Sequence, residues 1–288
     1  MTKSYNLMDM VIITMITLAS LLCLVPIVHI FAVSFSSNGP ITSGKVTLFP
    51  IEWNANAYIS VLKDFTMVRS LLFTIVLVVI FTVISMMMTV IAAYPLTKQN
   101  LKGRNFFLLL IVFTMFFSGG LIPDYLLIKN LHLLDTMWSL ILPGMINTFY
   151  LIIMKTFFSS IPIELEESAR MDGAGHFKVL WNVILPLSLP VIATLSLFYA
   201  VGRWNSFMDA LIYITNPHLY PIQLRLYEMV INNQVNDMTA SEGFNAAAPI
   251  PESLKSASIM FATVPILLVY PWLQRYFISG IMIGAVKG

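Results

Sequence analysis

Few residues in this chain can do chemistry, and their spacing narrows what that chemistry is. Glu164, Glu166, Glu167 and Asp172 crowd one stretch, interleaved with Arg170, His176 and Lys178. No His-Glu-x-x-His, no pair of cysteines and no Gly-x-Ser-x-Gly occurs, so neither a metal site nor a nucleophilic triad has its residues, and no catalytic residue is assigned. Gly39-Pro-Ile-Thr-Ser-Gly44-Lys45 opens like a phosphate-binding loop. The next residue is Val46, which cannot supply the magnesium-binding hydroxyl, so a nucleotide site must come from a partner. Asp124 and Arg203 lie at the ends of apolar runs. A charge there either lines a pathway or reaches the interface. Arg203-Trp204-Asn205 offers an aromatic face and planar hydrogen-bonding groups, which suit a sugar. His29 reads as a satisfied packing residue, and the single cysteine, Cys23, as a buried thiol that says little about redox compartment.

The elements that hold these residues follow from composition. Of the 288 residues, 58% are hydrophobic and 10% charged. Thirty or so charges cannot clothe a soluble protein of this size, so the class is integral membrane protein. The net charge of +2 gives no reason to expect nucleic acid. Six charge-free runs, 10–35, 71–96, 106–123, 137–154, 179–202 and 256–274, are long enough to cross about 30 Å of hydrocarbon as helices. Their continuous hydrophobicity argues against barrel strands. The fold class is therefore all-α, with six transmembrane helices. A seventh uncharged run, 210–224, holds Pro217 and Pro221 and reads as a re-entrant or surface segment. The first run is too long for a signal peptide and is kept as an uncleaved anchor. With the N-terminus inside, nine basic residues face the cytoplasm against six outside, and the C-terminus is inside too.

The organisation expected is an N-terminal helix with its external loop (1–69), a core (70–275) holding a cytoplasmic loop at 160–186, and a cytoplasmic tail (276–288). In the loop, Ser160 reads as an N-cap and Pro162 as a first-turn residue. The glutamates then meet the positive end of the helix dipole, and Gly173 and Gly175 stop the helix. Phe177, Leu180, Trp181 and Ile184 fall on one face of a second helix. Such a knob either docks into a cleft on a partner or is an interfacial linker.

Glu167-Ser168-Ala169, Gly173 and Val183-Ile184-Leu185-Pro186 have the spacing of the EAA motif, and the segment resembles that of ABC importer type I permeases. Ser168 and Val183 depart conservatively from the pattern. Ala169–Ala174 resembles the carbohydrate branch, and Gly280–Gly288 the tail of its MalG-like subunits. Phe117-Ser-Gly-Gly-Leu-Ile-Pro-Asp124 and the stretch 131–143 resemble the LplC/YtcP group, linked to complex oligosaccharides. The resemblance implies a sugar permease subunit in a bacterial cell membrane. Its partners would be a second homologous permease, two ATP-binding subunits, an extracellular solute-binding protein, the sugar and membrane lipid. ATP and magnesium would belong to the ATPase, with no cofactor in this chain. Glu166, Glu167, Ala169, Arg170, Asp172, Gly173 and Ala174 would form the coupling surface, and Val286, Lys287 and Gly288 would touch the ATPase. Asp124, Arg203, Trp204 and Asn205 are the candidates for the sugar pathway. The rival readings are an ion-coupled secondary transporter, which needs buried carboxylates and often two related halves, and a membrane-anchored assembly protein.

Overall fold

The computed structural model describes the backbone of residues 7–241 and 251–285, and side chains for 7–231 and 251–269. Every regular element among the described residues is helical. The chain begins with α1 (Leu7–Ser34), the short α2 (Asn38–Thr42), α3 (Asn56–Lys63) and the long α4 (Phe65–Ala93), which a 3₁₀ turn, Pro95–Thr97, closes. Next come α5 (Arg104–Phe116), α6 (Leu121–Asn130), the single turn α7 (Trp138–Ile141) and α8 (Thr148–Ser160). The loop contributes α9 (Ile163–Met171), α10 (His176–Val179), a π-helical stretch Leu180–Ile184 and α11 (Leu185–Leu187). The remainder is α12 (Leu189–Asn205), α13 (Met208–Tyr213), α14 (Ile222–Ser241) and α15 (Glu252–Ala285).

Three helices are long and apolar enough to cross a membrane unaided, at Leu7–Ser34, Phe65–Thr97 and Glu252–Val269. Three bent helix pairs, whose first or second arm is the apolar one, bring the number to six when each pair is counted as one span. The sequence places spans at 106–123, 137–154 and 179–202, and the structure bends or shifts each of them. α5 and α6 meet at 114° because Gly119-Gly120 interrupts the run and Gly120 adopts φ 91°. The fourth span starts later, at Thr148, because Pro143-Gly144 ends α7 and Asn147 caps α8, its side chain accepting from Tyr150 N at 3.2 Å. The fifth is bent by 82° at Ser188, between Pro186 and Pro190, neither of which can donate a backbone hydrogen bond. Segment 276–285 is helical, part of α15.

Residues cluster into two units, 1–69 with 225–265, and 70–224 with 266–288. In the first, α1 buries only Ala32, Val33 and Ser34. Cys23 is therefore exposed, not buried as its apolar run suggests. His29 bonds through Nδ1 to the Thr47 carbonyl at 2.7 Å. Gly39–Lys45 forms a helical turn with no adjoining strand among the described residues, unlike a phosphate loop.

The second unit holds the larger core. Leu77, Phe81 and Val90 of α4 pack with Leu140, Met154, Leu195 and Tyr199. Tyr199 also ties the core together through polar bonds: its hydroxyl lies 2.8 Å from Thr89 Oγ1 and accepts from Asn147 N at 3.0 Å. With no water to serve these groups in an apolar interior, each must find its partner within the chain.

Candidate functional site

Two features of the second unit bear on function: a cavity and the helix α9. The cavity has a volume of about 610 Å³. The broken third span supplies Gly120, Leu121 and Asp124, the cap of α8 supplies Asn147 and Tyr150, and the end of α12 supplies Phe198, Tyr199 and Arg203. The break between α5 and α6 thus matters directly, because it bends the chain so that Asp124 reaches the lining. Aromatic rings form one wall, with Tyr150 and Tyr199 edge to face at 4.8 Å and Tyr150 5.8 Å from Phe198.

The two charges predicted for the pathway both line this cavity, in different states. Arg203 is buried, and its guanidinium is committed: Nη2 donates to Asp209 Oδ1 at 2.9 Å, and Nη1 to Asp209 Oδ2 and, at 2.8 Å, to the Leu140 carbonyl. The Phe81 ring lies 5.6 Å away, and Ser206 Oγ donates to Asp209 at 2.9 Å. Asp124 is exposed, and its carboxylate takes no hydrogen bond among the described residues. With Arg203 and Asp209 neutralising each other, Asp124 leaves the lining with one net negative charge. Trp204 is buried outside the lining, and exposed Asn205 is also outside it. Sequence reasoning missed Asp209, Tyr150 and Tyr199. The two tyrosines look like ordinary span residues, and Asp209 gives a signal only when read six positions after an arginine at a helix end.

α9 is a surface helix with no fully buried residue. Glu167, Arg170, Asp172 and Gly173 are exposed, while Ala169 and Ala174 rest half-buried against the core. Gly173 has φ 80°, as expected of a glycine ending a helix in the left-handed region. Ser160 does not cap α9: it ends α8, and its hydroxyl donates back to Phe157 O at 2.7 Å. The second helix departs from the predicted face. Its π-helical stretch closes wider turns, so Leu180 and Ile184 are buried while Phe177 and Trp181 stand 77% and 67% exposed. Glu166 turns inward to Lys98 and Arg170. Burial pushes its carboxyl up, but the ammonium and guanidinium outweigh that and hold it below the ordinary glutamate range. Val286, Lys287 and Gly288 lie outside the described residues.

From α9 the chain runs through the glycine turn, α10, the π stretch and α11 directly into α12, whose far end lines the cavity. An exposed charged helix is thereby joined, across a glycine turn and a bend, to the helix whose far end forms a cavity wall.

Residues 101–283 match the family described as binding-protein-dependent transport system inner membrane component. The chain is 42% identical over 283 residues to the polygalacturonan/rhamnogalacturonan transport system permease protein YtcP of Bacillus subtilis, covering 98% of this chain and 99% of that one. It is 43% identical to protein LplC of the same organism, covering 100% and 97%. A solved chain from a bacterial ABC transporter involved in the import of the acidic polysaccharide alginate superposes with a TM-score of 0.86 at 34% identity, over 96% of this chain and 100% of that one. With its six apolar spans and the EAA spacing at 167–186, the chain belongs to the binding-protein-dependent transport system inner membrane components, as a multi-pass ABC transport permease.

Proposed function

We propose that this chain is one of two homologous permeases in an ATP-driven importer of a sugar or oligosaccharide, with complex and uronate-containing oligosaccharides the first to test. Both termini are cytoplasmic, in a bacterial cell membrane. Two ATP-binding subunits hold ATP and magnesium, and an extracellular solute-binding protein delivers the sugar. The chain itself performs no chemistry. The coupling surface is α9 with its turn: Glu167, Arg170, Asp172 and Gly173 meet the ATPase, while Glu166, Ala169 and Ala174 seat the helix. Val286, Lys287 and Gly288 add a tail contact. Asp124 and Arg203 border the sugar pathway, with Trp204 and Asn205 behind them at the end of α12.

The observation that carries this reading is the short chain path, through the glycine turn and the bend at Ser188, from exposed α9 to the wall of the cavity. When ATP closes the ATPase dimer, the two coupling helices move together and α12 moves with its own. The relatives' described cargoes, polygalacturonan, rhamnogalacturonan and alginate, support the sugar assignment. The lone Asp124 carboxylate makes the cavity a better host for hydroxyl faces than for sugar carboxylates, which would point away from it. The test is purification with the second permease and an ATPase. ATP hydrolysis that rises when sugar-loaded binding protein is added is expected, and an unresponsive assembled complex would refute the reading.

A further inference from the structure

α9 is fastened to the end of the second span by one carboxylate. Lys98, just after the 3₁₀ turn that closes α4, donates through Nζ to Glu166 Oε2. The same ammonium sits 4.2 Å from the centre of the Tyr94 ring, and Tyr94 Oη donates to Glu166 Oε1 at 3.5 Å. Arg170 Nη2 donates to that oxygen at 2.7 Å and lies 3.0 Å from His176 Nδ1. The side chains of Glu166 and Lys98 are 13% and 24% exposed, so the pair is shielded far better than an ordinary surface ion pair.

The chain bends on either side of α9. α8 and α9 meet at 70° across Ile161-Pro162, and α9 leaves through Asp172–Gly175 with Gly173 in the left-handed region. A contact away from these bends adds to the chain path and to the core packing of Ala169 and Ala174 in carrying a push from α9 to the spans. Among the described residues, Lys98–Glu166 is the ion pair that joins α9 to chain outside the loop. Force arriving at α9 therefore has a second route, into α4, besides the path through α10 to α12.

We infer that Lys98 and Glu166 form a positioning clamp that makes α9 and the cytoplasmic end of α4 move as one piece. The inference rests on the coupling role proposed for α9. It assigns Glu166 a task within the chain, distinct from that of exposed Glu167.

Two measurements test it. In the complex with the second permease, the ATPase and the binding protein, Lys98→Met should assemble in normal amounts with basal ATP hydrolysis within about twofold of wild type. Sugar carried per ATP should fall about tenfold, within the usual range of coupling between sites. Lys98→Arg should restore it, and Lys98→Glu with Glu166→Lys should recover part of what each single reversal loses. Normal coupling in Lys98→Met, no rescue by Lys98→Arg, or failure of Lys98→Met to assemble would each overturn the clamp. The second measurement needs no transport. Spin labels at Glu164→Cys and Lys102→Cys should give a narrow distance distribution with Lys98 or Lys98→Arg, and a broad one with Lys98→Met. An unchanged width in Lys98→Met overturns the clamp whatever the complex does with sugar.

Discussion

Asp124 and Arg203 look alike in the sequence, single charges at the ends of apolar runs, and the fold gives them opposite roles. Arg203 is a buried brace. Replacing it with Met leaves the Leu140 carbonyl without its donor and the Asp209 carboxylate with Ser206 alone. Breaking a fully buried pair from one side costs about 3–5 kcal/mol, and the cost here falls below that because the Asp209 side chain is 26% exposed at the cavity. Arg203→Met should therefore lower both the melting temperature in detergent and the amount reaching the membrane, before any question of sugar arises. Asp124 is free, so Asp124→Asn should leave abundance unchanged. Its effect should fall on selectivity: with the repelling charge gone, uptake of uronate-containing oligosaccharides should rise relative to neutral ones of equal length. A competition assay in one strain reads this ratio, and a fall in it would show that Asp124 does not face the cargo. Charge in an apolar context singled out both residues, and both line the cavity. Which one was spoken for was not legible, because Asp209 reaches Arg203 across a helix end that composition does not reveal.

At the scale of elements, hydropathy located the spans but not the breaks within them. α4 follows its run with no glycine or proline in it, and α1 follows its run through Pro26, which leaves the helix continuous. The third, fourth and fifth runs are equally apolar, but Gly119-Gly120, Pro143-Gly144 and the prolines beside Ser188 divide them, and hydropathy does not register a backbone break. The glycine turn after α9, by contrast, was legible, since the EAA spacing and helix-stop chemistry agree on Gly173. A Cβ built there meets nothing within 4 Å, so a side chain has room and only the backbone is strained, by about 1 kcal/mol. Such a cost does not unfold the protein. Gly173→Asp should reach the membrane in normal amounts and still nearly abolish uptake, because it sets a second carboxylate beside Asp172 on the surface proposed to meet the ATPase. Gly173→Asn has the same shape and the same tolerance of this conformation without the charge, and should retain more uptake. Equal losses would assign the defect to backbone strain. Glu167→Ala removes an exposed carboxylate and should weaken copurification of the ATPase, by about 2–5 kcal/mol if the partner groove desolvates the pair and by 1 kcal/mol or less if it stays wet.

For the whole molecule, the decisive question is which side each loop faces, since coupling and sugar delivery need opposite sides of the membrane. Six spans return the chain to its starting side, and the Lys and Arg at 97–105 and 155–178 support the proposal that this side is the cytoplasm. The fold sharpens the argument. α9 and the 3₁₀ turn after α4 are joined by Lys98–Glu166, so the segments around Lys98 and Glu166 must lie on the same side. These are also the two most basic predicted inner segments, so charge bias and ion pairing agree without having been derived from one another. A cysteine at Lys102 or Lys178, in a Cys23→Ser background so that the introduced thiol is the chain's single one, should resist an impermeant thiol reagent in intact cells and react once the cells are opened. One at Asn236, in the long connection between the fifth and sixth spans, should react in intact cells. The reverse pattern would put α9 outside, out of reach of any ATPase. Labelling at Lys102 alone, with Lys178 protected, would contradict the fold itself by separating two segments that the ion pair holds together.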